Sequence, residues 1–189
     1  MKIFVLTACI CISAFFANAQ ESIRWNENQL LNWDDFNGKV NDTSRYDAEC
    51  FAEIRYNYKF YSVSDFEFEV FASFDKNTSW SRKGTRSVAL LKHEQMHFNI
   101  AELFAEKLQN DFNSYSYTAS TYNLQILQLF NQKKLEYQAM QLQYDEETNH
   151  ALNKEKQKEW EEFVINELRR TRLSLQLVQN NKKETVKAE

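Results

Sequence analysis

Between Ala48 and Phe60 every second residue is apolar or aromatic (Ala48, Cys50, Ala52, Ile54, Tyr56, Tyr58, Phe60), and Glu49, Glu53, Arg55, Asn57 and Lys59 fall between them. Such alternation sets one face of a strand on a core and leaves the other in water. It returns over Phe66, Phe68, Val70, Ala72 and Phe74, with Glu67, Glu69, Ser73 and Asp75 opposite, so 61–65 reads as the link of a hairpin. Upstream, the close-set Trp25, Leu30, Leu31, Trp33 and Phe36 end at Asn37-Gly38, a turn signal, and predict one short strand with a packing cap. Past Gly84 the period changes to 3.6. Leu90, His93, His97, Ile100, Ala101, Phe104 and Leu108 share one side of a helix expected from about Ser87 to Phe112. A second helix is expected from about Thr121 to Tyr144, with Leu124, Leu127, Leu135 and Leu142 beside a stripe of Ile126, Phe130, Tyr137 and Met140, wide enough for two neighbours. A third, from about Asn153 to Val178, carries Trp160, Phe163, Val164, Leu168 and Leu175 against a face of Lys and Glu. The fold class is therefore α+β: a small N-terminal antiparallel sheet followed by three long helices.

The opening twenty residues stand outside this pattern. Lys2, the apolar run Ile3 to Phe16 and Ala17-Asn18-Ala19 have the form of a signal peptide over 1–19, with the mature chain starting at Gln20. A rival cleavage box, Leu6-Thr7-Ala8-Cys9, would make a lipoprotein, but it leaves too short an apolar run before the cysteine. The expected destination is periplasmic or extracellular. Export removes Cys9 and Cys11, so Cys50 is the single thiol and no internal disulfide staples the fold. The domain is expected over 20–179, and 180–189, where only Val186 is apolar, reads as a disordered tail.

A chain of 189 residues, 43% apolar and 26% charged, suffices for one domain with a core. No apolar run after the signal approaches the roughly 20 residues of a membrane span. The formal charge of -4 provides no field for phosphate backbones. Neither an integral membrane segment nor a nucleic-acid partner is expected, and oligomeric state is not encoded in any pattern here.

The chemistry gathers at His93-Glu94-Gln95-Met96-His97, an HExxH motif on the first long helix. Positions i and i+4 share a face, so two imidazoles can meet one Zn2+ while the intervening Glu lies beside the water that the metal holds. The plain alternative, two hydrogen-bonded core histidines, would need a separate buried acceptor for each, whereas one ion satisfies both. The chain has three histidines, and the third, His150, lies in Tyr144-Asp145-Glu146-Glu147-Thr148-Asn149-His150 at the junction of the second and third helices. His93, His97 and His150 are the expected metal ligands and Glu94 the expected general base. Glu146 or Glu147 as a gluzincin-like third ligand stays open, since Asp145, Glu146, Glu147 and His150 form one cluster of donors. The metzincin pattern HExxHxxGxxH is excluded by Ile100 and Leu103. An HExxH helix behind a small antiparallel sheet is a zincin-like arrangement.

Leu91-Lys92-His93-Glu94-Gln95-Met96-His97-Phe98, preceded by Phe74-Asp75 and Ser79-Trp80 and followed by Tyr144-Asp145, Thr148 and His150, resembles an uncharacterised bacterial family of predicted secreted zinc-dependent proteases. Leu31-Asn32-Trp33-Asp34-Asp35-Phe36-Asn37-Gly38 is similar to the opening of that family, so the resemblance runs from about Trp25 to Trp160. Its core is HEQxHF. That family commonly has Gly where this chain has Ala151, which puts the turn after His150 in question.

The reaction that best uses these groups is peptide hydrolysis. Zinc would activate a water and polarise the scissile carbonyl, and Glu94 would carry the proton to the leaving amine. The strand Phe66 to Phe74 is a candidate to pair with an extended peptide or protein substrate. Tyr144 could donate to the oxyanion, although its place on an apolar stripe favours a core role. The competing class is a non-catalytic zinc-binding or helical interaction protein of the cell envelope.

Overall fold

A computed structural model describes residues 21–188, with side chains through residue 177. The expected signal peptide over 1–19, the start at Gln20 and the rival lipidation at Cys9 lie outside the described residues. Strands β1 (Ser22–Arg24), β2 (Ala48–Glu49), β3 (Ala52–Ser62), β4 (Asp65–Asp75) and β5 (Trp80–Ser81) precede helices α1 (Val88–Ser114), α2 (Tyr122–Thr148) and α3 (Lys154–Ala188). The α+β class read from the periods is the class observed.

The hairpin forms where alternation places it, with Ala52 opposite Phe74, Ile54 opposite Ala72 and Phe60 opposite Phe66 in an antiparallel sheet of order β1-β4-β3. Its inward residues pack on α1. Ala72 and Phe74 are fully buried, and the Phe74 and Phe98 rings lie 5.8 Å apart. The strand expected as continuous from Ala48 to Phe60 is broken. At Phe51 the backbone still serves β4, its carbonyl accepting from Asp75 N at 2.9 Å, but its N–H turns to Ser79 Oγ at 2.8 Å. Residues Ala48 and Glu49 then pair with Ser81 and Trp80 of β5. Alternation survived the break because both pieces bury every second residue; a change of partner leaves the period untouched.

β4 is not a free edge. β1 covers Ser73 to Asp75, and the amides of Val70 and Ala72 donate to Gln109 Oε1 and Glu102 Oε2 of α1, each at 3.0 Å. The expectation that this strand pairs with substrate is therefore corrected for its second half, where the amides of Val70 and Ala72 and the residues beside β1 are already used.

Helix α1 opens on Ser87, whose side chain accepts from Leu90 N at 3.1 Å. It is buried on more sides than one stripe predicts, with Met96, Phe98, Leu103, Ala105 and Phe112 inside as well. α1 belongs to both core clusters, packing on the sheet, α2 and α3. On α2 only one of the two expected stripes is used. Ile126 is buried and Phe130, Tyr137 and Met140 pack on the core, while Leu124, Leu127, Leu135 and Leu142 face solvent. On α3, Trp160, Val164 and Leu168 are inside and Phe163 is exposed. The backbone of α3 stays helical through Ala188, where a disordered tail over 180–189 was expected. Lys, Glu and Ala in that stretch are good helix formers, so the helix needs no apolar face to continue. No helix among the described residues is long and apolar enough to cross a membrane.

Asn37-Gly38 has a different purpose from the turn its composition suggests. Gly38 lies against β5's approach: its N–H donates to Ser79 O at 2.8 Å, and a Cβ there would sit 2.7 Å from the carbonyl oxygens of Thr78 and Ser79. The missing side chain allows two backbones to touch. Gly38→Ala should cost about 1 to 3 kcal/mol, as overpacking against immovable atoms does. A urea midpoint unchanged from wild type would reject this account.

Candidate metal centre

Two antiparallel helices of 27 residues each carry the distant parts of the motif to one level. His93 and His97 lie in the early turns of α1 and Asp145 in the last turn of α2, so a chain that travels about 40 Å out along one helix returns the same distance along the other. His93 Nε2 and His97 Nε2 are 3.2 Å apart. Asp145 Oδ1 stands 3.1 Å from the first and 3.0 Å from the second, and His150 Nδ1 is 3.3 Å from that same oxygen. The donor atoms of His93, Asp145 and His150 all lie within 4.8 Å of one another, a group that could hold a metal ion; His97 is not one of the three and adjoins them through its Nε2, 3.2 Å from His93 and 3.0 Å from Asp145. All three histidines singled out in the sequence thus converge on one carboxylate oxygen.

Two glutamines fix the imidazole tautomers. Gln141 of α2 donates its Nε2 to the His97 carbonyl at 2.9 Å, which leaves its Oε1 facing His97 Nδ1. Gln157 of α3 points its Oε1 at His93 Nδ1, 3.2 Å away, while accepting from Tyr144 Oη at 2.7 Å. Both Nδ1 atoms then carry hydrogen, and in the neutral imidazoles both Nε2 lone pairs face the shared point. Burial alone would raise the carboxyl of Asp145, but its bonds to His93 and His97 outweigh this and hold it well below the usual carboxylate range. His93 is pulled down by burial; His97, also desolvated, is raised because Asp145, with Glu94 and Gln141 behind it, prevails over burial.

Glu94 points from the same turn of α1 into the cleft wall, buried beneath Cys50. Burial pushes its carboxyl up to about 7, against the opposing pull of His97 and the Cys50 backbone amide. The sequence offered nothing to bring Cys50 near the histidines; the break between β2 and β3 does so. Its thiol lines the cleft and is raised by burial, then by Glu94 and Asp145, and it is not among the donor group. The cleft measures about 1020 Å³ and is walled by the 45–52 segment, α1 and the end of α2.

Tyr144 is a core residue, fully buried, stacked on His93 with ring centroids 4.7 Å apart and its hydroxyl committed to Gln157. Glu147 accepts from Trp160 Nε1 at 3.0 Å and Gln143 Nε2 at 2.8 Å, and Glu146 is exposed on the cleft rim; neither belongs to the donor group. Asp145 is the donor that the choice among His150, Glu146 and Glu147 passed over. The available signal was its position one turn before the helix end, on the face of Gln141 and Tyr144.

His150 reaches the centre through a strained turn. Asn149, His150 and Ala151 have φ of 47°, 49° and 71°, three consecutive left-handed residues without a glycine. Each costs about 1 to 2 kcal/mol relative to right-handed backbone, so the turn must be held by its surroundings. His150 N bonds Asp145 O at 3.2 Å and Asn153 N bonds Thr148 O at 2.8 Å. The Tyr46 ring packs on His150 with centroids 4.1 Å apart. Arg82 in turn clamps the loop bearing Tyr46 by donating to the carbonyls of Asn41, Ser44 and Tyr46 at 3.0 to 3.2 Å.

The question raised by Ala151 is thereby answered: the turn forms, with alanine in a conformation that glycine adopts freely. Ala151→Gly should stabilise the protein by about 0.5 to 1 kcal/mol after the entropy of glycine is counted, a rise of about 1 to 4 °C in Tm. A lower Tm would show that the turn carries no such strain. No curated protein and no solved structure matches the chain. Residues 68–151, which hold His93, Glu94, His97, Gln141, Asp145 and His150, match the family described as "Bacterial protein of unknown function (DUF922)".

Proposed function

We propose that the cleft is the active site of an exported zinc-dependent hydrolase that cleaves peptide bonds. The observation that carries this reading is the pair of Nε2 atoms 3.2 Å apart, each made an acceptor by a glutamine and both facing one carboxylate oxygen. Three acceptors at that spacing repel one another unless a positive charge lies between them. Imidazole and carboxylate are the donors zinc takes, and distances of 3.0 to 3.3 Å match the separation of ligands around an ion bound at about 2.0 to 2.1 Å. His93, His97 and His150 would hold the metal, with Asp145 as the carboxylate donor among them. Zinc, when bound, acts as a Lewis acid and lowers the pKa of water toward about 7.

The chain's own groups supply the rest. Glu94 lies beside the donors, has no cationic side chain paired to it, and is held in a site of low polarity where a carboxylate is a better base than in water. It accepts the proton of the attacking water and passes it to the nitrogen that leaves. Gln141 and Gln157 keep the imidazoles in the tautomer a metal requires. A cleft of about 1020 Å³ gives an extended chain access to these groups.

The second reading is a closed structural site in an envelope protein without catalysis. Asp145 favours it, because four protein donors are the usual structural complement. An open cleft and a buried Glu beside the donors favour hydrolysis, since a structural site needs neither.

Glu94→Gln separates the two. The variant should keep its zinc and lose about 10²- to 10⁴-fold in kcat on a peptide turned over by wild type, the usual contribution of a general base. Equal turnover would reject the mechanism. His150→Ala, measured by zinc titration, should weaken binding strongly, and unchanged affinity would remove His150 from the ligands. Gln141→Leu should lower zinc affinity about 10- to 100-fold by freeing the His97 ring, with little effect on the fold. Wild-type affinity in that variant would show that the tautomer lock has no part in binding.

A further inference from the structure

The mouth of the cleft is ringed by large apolar side chains that the fold does not use. Phe51 follows β2, Leu90 lies in the first turn of α1, Leu142 near the end of α2 and Leu152 just past the strained turn, and all four line the same opening. Leu142 and Leu152 leave 65% and 76% of their surface to solvent and Phe51 leaves 41%. None belongs to either core cluster. Single exposed leucines are ordinary, but four large apolar groups from four separate segments around one opening form a recognition surface.

The charges at this opening have one dominant sign. Asp47, Glu49 and Glu146 join Glu94 and Asp145, and Arg45 is the one lysine or arginine among the lining residues, its guanidinium turned onto the Tyr46 hydroxyl at 2.9 Å. Five carboxylates against one guanidinium leave the cleft negative even after a divalent cation is counted. A substrate bearing Asp or Glu would be repelled there, and Lys or Arg would be drawn in.

Resting on the hydrolase reading above, we propose that this site takes an extended peptide with large apolar residues beside the scissile bond and basic or neutral residues flanking them. The apolar rim contacts the central side chains, and the rim carboxylates select the flanks. Each large side chain removed from water on this rim should tighten binding by about tenfold or more.

The test uses zinc-loaded Glu94→Gln protein, which binds without cleaving, and three fluorescein-labelled dodecapeptides read by anisotropy. One has Phe-Leu at its centre and Lys flanks, the second has Ser-Gly at its centre and Lys flanks, and the third has Phe-Leu and Glu flanks. The first should bind at least tenfold more tightly than the other two. Adding Leu142→Ser and Leu152→Ser should abolish the advantage of Phe-Leu over Ser-Gly while zinc content stays the same. Equal affinities, preference for the Glu-flanked peptide, or no binding of any of the three would overturn the proposal. So would a dimer in sedimentation that the same double substitution dissociates, since a second copy would then be what covers the rim. Cleavage of the three peptides by wild-type protein is read separately. Cleavage without preference overturns this inference and keeps the hydrolase; the predicted binding order without cleavage keeps the surface and overturns the hydrolase.

Discussion

Three acceptors held within 3.2 Å of one another are the constraint around which this end of the protein is organised. Two imidazole lone pairs and a carboxylate oxygen repel unless a proton or metal ion joins them, so this is a group that could hold a metal ion. The participants come from three helices. His93 and His97 ride on α1, Asp145 and Gln141 on α2, and Gln157 on α3, so the centre ties all three helices together. Losing one partner would leave buried polar groups unpaired, which costs more than the net worth of any single bond.

The rest of the fold bears the cost of assembling that centre. α1 is buried on the sheet, on α2 and on α3, and its apolar surface holds it rigid where it presents Glu94 and the histidines. The hairpin and its aromatic cluster, with Tyr56, Phe68, Phe112 and Phe130 in mutual ring contact, anchor the far part of α1 and α2. Strain is concentrated at the three left-handed residues after α2, beside the donors, a placement common to sites that must aim a side chain. Tyr46 and the Arg82 clamp brace that turn from the opposite wall.

The cleft wall follows from a topological detail. By leaving β4 at Phe51 and pairing with β5 instead, the chain bends the 45–52 segment over the cluster of histidines and Asp145. Cys50 and Phe51 reach the cleft for that reason, as does the stack of Tyr46 on His150.

Local periodicity determined a great deal without any tertiary information. Alternation over Ala48 to Phe60 and Phe66 to Phe74, and the 3.6 period past Gly84, place the hairpin and three helices within a few residues of their observed bounds except at the far end of α3, because each element's burial pattern is written in its own segment. His93, Glu94 and His97 were legible for the same reason: one turn of helix is a local geometry. His150 was legible as the one remaining histidine near a helix end. What the tertiary structure alone decided are choices of partner. Whether an alternating run stays on one sheet, which of two apolar stripes on α2 is covered, and whether Asp145 or its neighbours face the histidines depend on atoms far along the chain. Gln141 and Gln157 carry no sequence signal, since a glutamine on a helix is neutral until an imidazole nitrogen is placed against it. Periods record how much of a segment is buried; they do not record against what.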